Sequence, residues 1–135
     1  MQLGSLMLPR YKIILKTTHK NKNRVVNCLN TWLITLDYVC LTDKLTGRFN
    51  EISGCDDDSY DSNEQKTVTL INLIRDTDLF NDYDWLVLID DDAILNVKRF
   101  ESIVPHLDKS FVYGYNMKGS FKKDLSLAYP SGGCG

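Results

Sequence analysis

Residues 85–92 constrain the fold more than any other part of the sequence. They read WLVLIDDD, so five apolar residues lead directly into three consecutive carboxylates. A continuous apolar run that is too short for a helix and rich in Val, Ile and Leu predicts a parallel strand covered on both faces. Open α/β sheets bind ligands beyond the carboxyl ends of their strands, and side chains two apart on a strand share a face. We therefore expect Asp90 and Asp92 to face one ligand and Asp91 to point the other way.

Two interpretations of this acidic triplet are open. The first is a cation site, because three like charges crowded after a buried strand repel one another unless something neutralises them. The second is a turn in water that ends the strand. A second DDD at residues 56–58 offers an internal comparison, since no apolar run precedes it and small polar residues surround it. That copy is typical of a solvated loop, and we assign it no catalytic role.

Length and composition indicate one domain. The chain has 135 residues, 43% of them hydrophobic, which is enough for one ordinary core. A formal net charge of -2 gives no overall attraction to nucleic acid, so we predict no nucleic-acid partner. No apolar stretch is long enough for a membrane span. The four cysteines include no CxxC pair, which argues against a zinc ribbon, and Cys28 and Cys40 are expected in the core.

Patterns of strand and helix alternate along the chain. Strands are predicted at residues 11–16, 37–41, 85–89 and 111–115. Between them, apolar stripes at helical spacing predict three helices. This alternation indicates βαβ units, and hence an α/β fold with a mostly parallel sheet flanked by helices.

Local signals refine the helices. The first carries its apolar stripe at positions 25, 28, 29, 32 and 33, which places Trp32 in the core. Ser62 and Gln65 fit a capping box at the start of the second helix. The third is expected to end or kink at Pro105. Residues 44–61 show no periodic pattern and are left unassigned, apart from a minor strand around Ile52.

Six short motifs follow one another in a recognisable order. They are KTT after the first strand, Arg24 eight residues before Trp32, TD after the second strand, a lysine–threonine helix start at Lys66, the W…DDD segment, and YPSGGCG at residues 129–135. In order and spacing they resemble the Fringe-like and β1,3-glycosyltransferase family, whose members have the GT-A nucleotide-sugar fold. The resemblance covers about residues 11–135, and six motifs in register make coincidence improbable.

The resemblance implies roles for four residues around the nucleotide. Thr17 and Asp43 would border the nucleotide itself. Arg24 and Lys66 would support that pocket or its phosphates. For Lys66, an ordinary solvated lysine on the first turn of a helix is an equally open interpretation.

The same resemblance makes the acidic triplet a DxD motif. Asp92 would bind the divalent cation, Mn2+ or Mg2+, with Asp90 as a second metal ligand. Asp90 and Asp91 would also reach the ribose, the sugar or metal-bound water. Gly132 and Gly133 lie in a glycine-rich loop that permits close backbone approach, so this loop could border the sugar nucleotide.

The implied activity is that of a metal-dependent inverting glycosyltransferase, which transfers a sugar from a UDP-sugar to a glycan or glycoprotein acceptor through a β1,3 linkage. The family's catalytic carboxylate and a further metal-binding histidine lie in a C-terminal half with no counterpart here. Residues 1–135 are therefore expected to form a single partial domain, the donor-binding half, truncated at its C-terminus. We nominate no catalytic base, and neither His19 nor His106 fits that role.

Other interpretations stay open. One is a catalytically inactive nucleotide- or partner-binding module from a truncated relative. A response-regulator-like or phosphatase-like domain ranks last, because its acids normally come from separate strands whereas these are consecutive. The compartment is also open: the Golgi lumen suits a eukaryotic secretory enzyme, and the cytoplasm suits a microbial or viral one.

Overall fold

A four-stranded sheet, parallel throughout, forms the centre of the computed structural model. The structure describes residues 7–57, 59 and 62–114, together with the backbone of two short strands at Asn116–Lys118 and Ala128–Pro130. The sheet consists of β1 (Tyr11–Lys16), β2 (Tyr38–Thr42), β3 (Glu51–Ser53) and β4 (Trp85–Asp90). The two later strands, β5 and β6, pair antiparallel with each other. The predicted α/β class with a parallel sheet is confirmed.

The strand order places a change of direction between β1 and β4. The order across the sheet is β3-β2-β1-β4, so the chain moves from β1 to β2 on one side and later returns to place β4 on the other. Lys16 and Asp90, the last residues of β1 and β4, lie opposite each other in register. The carboxyl ends of these two strands therefore meet at a topological switch point, where open α/β sheets bind ligands.

Helices cover both faces of the sheet. Lys22–Cys28 form α1, which continues as a π-helical segment over Leu29–Leu33. Ser62–Asp76 form α2, and Val97–Ile103 form α3, which passes into a 3-10 turn at Val104–His106. The predicted first helix is confirmed, and the third helix ends beside Pro105 as expected, because proline cannot continue the hydrogen-bond ladder.

The core has two halves, one on each face of the sheet. Alternate residues of β1 point to opposite sides, so Ile13 packs with α1 residues such as Val25 while Ile14 packs with Leu70 of α2. Cys28 and Cys40 are buried in the first half, as predicted. Trp32 is half-buried and packs against that half rather than lying within it.

Strand β4 departs from the expectation that it is covered on both faces. It is the outermost strand of the described sheet, and Ile89 is its one buried residue. Its far side borders an apolar cavity of about 500 Å³ whose walls include Trp85, Phe100 and Tyr113. The apolar run therefore reflects one packed face and a cavity, since no strand of the described residues pairs along its other edge.

The strand predicted at residues 111–115 is wrong for residues 111–114, and Tyr115 lies outside the described residues. Phe111 closes a turn, because its amide donates to the carbonyl of Asp108 at 3.1 Å. The Tyr113 hydroxyl accepts from the Asp108 amide at 3.0 Å, and its ring packs edge-on against Trp85 at 5.9 Å. These local contacts take the place of the strand pairing that was predicted for this segment.

The start of α2 is predicted correctly, but the capping box is not. Ser62 is the first helical residue, and its hydroxyl donates to the carbonyl of Ser59 at 2.6 Å. It is therefore a donor to the preceding loop rather than an acceptor for the amide of Gln65.

Ile52 lies in β3, as suggested by the minor-strand interpretation. Within the described ranges, no helix combines the length and apolar character that a membrane crossing requires.

Candidate functional site

A polar cavity of about 270 Å³ lies at the carboxyl ends of β1 and β4, directly at the switch point. We call it the charged cavity. Five predicted site residues line it: Thr17, Arg24, Asp90, Asp91 and Asp92. Five further residues line it for which no role is predicted, namely Lys16, Thr18, Asn21, Ser59 and Asn63. The acids thus share a cavity with two cations and several neutral hydrogen-bonding side chains.

Asp91 is the most firmly held of the three acids. It is only 8% exposed and accepts hydrogen bonds from the Thr17 hydroxyl at 2.8 Å and from Arg24 Nη1 at 3.3 Å. As predicted, the side chains of Asp90 and Asp91 point to opposite sides, because Asp90 contacts Lys16 whereas Asp91 contacts Thr17, the next residue along the chain. The Asp91 amide donates to the Lys16 carbonyl at 3.2 Å, so pairing with β1 continues one residue past the end of β4.

Asp90 has a basic partner at the end of the neighbouring strand. Lys16 Nζ lies 3.6 Å from Asp90 Oδ1, and the Lys16 side chain is only 8% exposed. Burial raises the pKa of Asp90, the charge of Lys16 opposes this, and the charges of Asp92 and Asp91 raise it further. Lys16 is the first residue of the KTT motif, but its pairing with Asp90 follows from the register of β1 against β4, which the motif does not show.

Asp92 differs from its two neighbours. Its side chain is exposed, and it makes no hydrogen bond or ion pair with any residue that the structure describes. Two of the three acids are therefore already balanced by Lys16 and Arg24, so crowding of charge alone does not require a cation at this site. Within the acidic triplet, Asp92 is thus the carboxylate that has no partner among the described residues.

The donor set can be compared with the needs of a divalent cation. Among the described residues, no group of three or more His, Cys, Asp or Glu side chains is arranged as a metal site. Mg2+ commonly binds through one or two carboxylates and completes its octahedron with water and phosphate oxygens. Asp92, with Asp90 beside it, fits that sparse pattern, whereas a site built entirely from protein ligands does not fit.

Asp43 is not among the residues that line the charged cavity. Its side chain is 4% exposed and accepts from the His19 amide at 2.8 Å and from the His19 ring at Nδ1 at 2.6 Å. Burial would raise the pKa of Asp43, but these bonds and one from Thr42 outweigh it and lower the pKa to about 2. The ionised carboxylate can only accept, so Nδ1 of His19 carries the proton.

We predict that Asp43→Asn removes a pH-dependent contribution to stability. Because the folded pKa lies below the usual value for aspartate, 3.8, the carboxylate stabilises the fold above about pH 4 and loses this effect as pH falls towards 2. At neutral pH the variant should lose about 1 to 2 kcal/mol, after allowance for solvent around the partly exposed His19. Urea unfolding at several pH values measures the difference.

The exposed Asp82 provides the control for this experiment. Asp82→Asn should leave both the stability and its pH dependence close to wild type, because surface substitutions usually change stability by less than about 0.5 kcal/mol. An Asp43→Asn variant that loses as much stability as wild type between pH 4 and pH 2 would show that the pair with His19 does not carry the effect.

Lys66 is also absent from the lining of the charged cavity. Its side chain is 0% exposed, and Nζ has no hydrogen-bond partner among the described residues. A Cβ added at Gly54 would lie 2.9 Å from Lys66 Cγ, so the glycine leaves the space that the lysine fills. The interpretation of Lys66 as an ordinary solvated lysine is therefore wrong, because the side chain is buried.

The remaining predicted residues, Gly132 and Gly133, lie outside the described residues. Comparisons of this chain with protein-family models, with curated proteins and with solved structures found no match. The α/β class and the charged cavity therefore stand on the chain's own geometry.

Proposed function

We propose that this chain is a metal-dependent inverting glycosyltransferase, or the donor-binding half of one, that transfers a sugar from a UDP-sugar to a glycan or glycoprotein acceptor through a β1,3 linkage. The observation that carries the proposal is the position of the charged cavity at the switch point between β1 and β4, with an unpaired acid and two cations among the described residues that line it. Nucleotides bind to α/β sheets at this kind of position.

The mixture of charges supports a ligand that carries both a metal and phosphates. Arg24 is half-exposed and Lys16 lies at the cavity wall, so both could donate to diphosphate oxygens. Asp92 is the carboxylate that could hold a cation without first leaving a protein partner. When such a ligand binds, its phosphates can replace Asp90 and Asp91 as partners of Lys16 and Arg24, and its cation can neutralise the acids that are released.

Each residue then has a defined task. Thr17 and Arg24 orient Asp91, which fixes the floor of the cavity. Asn21 and Asn63 face the cavity from opposite elements and could bind ribose or phosphate oxygens. A divalent cation, Mn2+ or Mg2+, would supply charge neutralisation for the diphosphate leaving group. We assign no general base for the acceptor hydroxyl.

The decisive experiment is a titration of UDP by calorimetry in MnCl2 and in EDTA, with wild type and Asp92→Asn. Wild type should bind UDP in MnCl2, and the variant should bind at least about tenfold more weakly, because a metal ligand is lost. Stability should change little, since Asp92 is exposed and unpaired in the described structure. Asp82→Asn again provides the matched control.

Equal affinity of Asp92→Asn and wild type for UDP in MnCl2 would contradict the assignment of Asp92. Absence of UDP binding by wild type under all conditions would contradict the proposed function itself. Mass spectrometry of products after incubation with UDP-sugars and acceptor glycans then distinguishes transfer from binding without turnover.

The ion pairs in the cavity favour one alternative, a nucleotide-binding module that does not need a metal. Lys16 and Arg24 already balance Asp90 and Asp91, so phosphates could bind to the cations directly. This alternative predicts UDP binding that persists in EDTA and is lost in Arg24→Ala. The EDTA arm of the same titration therefore separates the two functions.

A further inference from the structure

A second cavity, of about 320 Å³, lies behind the acidic turn, between that turn and the first helix. We call it the Trp32 cavity. It shares Arg24, Asp91 and Asp92 with the charged cavity, so the two cavities adjoin at these residues. A ligand whose charged end occupies the charged cavity could extend an uncharged part around Asp92 into the second.

The walls of the Trp32 cavity have a different chemistry. The indole of Trp32, the Ala93 methyl and the Ile94 side chain provide an apolar surface. Asn27 and Thr31 stand at the rim as exposed polar side chains. Binding sites for small molecules typically combine such an apolar wall with a few polar groups that fix orientation. A pyranose ring matches this arrangement, because it has a face of C–H groups and an edge of hydroxyls.

Charge selects against an anionic occupant of this cavity. Asp92 and Asp91 line it, so a phosphate or carboxylate that carries no cation of its own would be repelled. Among the described residues of the wall, Arg24 is the basic one, and it is already paired with Asp91. Hydroxyl groups can instead donate to Asp92 and accept from the amide of Asn27, which makes a neutral polyol ring the better partner.

Two local irregularities occur together at Trp32. The helix leaves α geometry at Leu29–Leu33, and π-helical turns are rare and often occur at functional sites. In addition, Trp32 Nε1 is covered and has no hydrogen-bond partner among the described residues, although the weakly accepting sulfur of Cys28 interacts with the Trp32 side chain. Both features cost stability, and departures from local rules concentrate at functional sites.

We propose that the Trp32 cavity binds a neutral pyranose ring, with the ring stacked on Trp32 and its hydroxyls at Asn27, Thr31 and Asp92. The inference rests on the proposed function in that the sugar nucleotide joins the two cavities. The same chemistry could come from the donor sugar or from a sugar of the acceptor, and the arms of the experiment distinguish these sources.

The chain has two tryptophans, so Trp85→Phe leaves Trp32 as the sole indole reporter. Its emission is followed during titration with UDP, UDP-glucose, UDP-galactose and UDP-N-acetylglucosamine, and separately with methyl galactoside, methyl glucoside and lactose. We expect a saturable change with at least one sugar-bearing ligand and no change with UDP. A response to UDP-sugars alone identifies the donor sugar, and a response to free glycosides identifies a site for the acceptor.

Ile94→Ser tests the wall without threatening the fold, because Ile94 is 79% exposed. Loss of this apolar contact should weaken the responding sugar ligand by about 3- to 10-fold, the scale of one good ring contact, and leave UDP affinity unchanged. Ile34→Ser is the matched control, since Ile34 is also an exposed isoleucine and does not line the cavity.

The outcomes separate the two proposals. UDP binding together with an unchanged Trp32 signal for every sugar-bearing ligand, and with no effect of Ile94→Ser, overturns the pyranose site and leaves the proposed function intact. Saturable binding of free glycosides in a chain that does not bind UDP supports the pyranose site and overturns the proposed function. Silence in both titrations overturns both.

Discussion

Replacing Lys66 with methionine is expected to raise the free energy of unfolding by about 2 kcal/mol, the cost of leaving a buried charged donor without a partner. The side chain is 0% exposed, and Nζ has no hydrogen-bond partner among the described residues. Methionine keeps the packing of the aliphatic stem and removes the orphaned ammonium, and apolar replacements of buried charged groups are often stabilising. Urea unfolding and the melting temperature measure the effect.

Lys98→Met provides the control for the introduction of a thioether. Lys98 is exposed on α3, so its substitution should change stability by less than about 0.5 kcal/mol. A loss of stability in Lys66→Met would contradict the prediction and indicate that the ammonium is satisfied in solution. The UDP affinity of Lys66→Met is measured as well. A lower affinity would show that the lysine supports ligand binding at a cost in stability, as is common at functional sites.

Thr17→Val is expected to lower the free energy of unfolding by about 2 kcal/mol, the scale of a hydrogen bond to a charged group. Valine has the shape of threonine but removes the hydroxyl that donates to the buried Asp91 carboxylate at 2.8 Å. Arg24, itself half-exposed, then remains as the side-chain donor to that carboxylate. Urea unfolding at neutral pH measures the loss.

The neighbouring Thr18 gives a close control, since its hydroxyl makes no side-chain hydrogen bond with the described residues and Thr18→Val should be nearly neutral. In an Asp91→Asn background, Thr17→Val should cost much less than in wild type, because the charge that the hydroxyl serves has gone. Equal costs in the two backgrounds would show that the hydroxyl acts through packing instead.

Strands β1 and β4 could be located from the sequence because short apolar runs are typical of strands. Strand β1 is apolar on both faces and β4 reads as a continuous apolar run, so both were located to within a residue. The end of β4 also placed the acids at a ligand-binding edge. Burial of β4 could not be predicted, because it depends on which strands lie beside it rather than on its own residues.

The errors at the site have a common physical cause, the contacts between residues distant in sequence. The partner of Asp90 depends on the register that places Lys16 opposite it. His19 binds Asp43 from a different loop, and the burial of Lys66 depends on the space left by Gly54. None of these facts is contained in a local pattern.

The pairing of β1 with β4 also determines when the charged cavity comes into existence during folding. The Thr17–Asp91 hydrogen bond joins residues 74 positions apart, so a long loop must close before the acids meet their partners. The unfolded chain consequently contains no part of the assembled cavity. A ligand that binds there stabilises the native state by an amount that grows with the ratio of its concentration to its Kd, and its binding requires that β1 and β4 have paired.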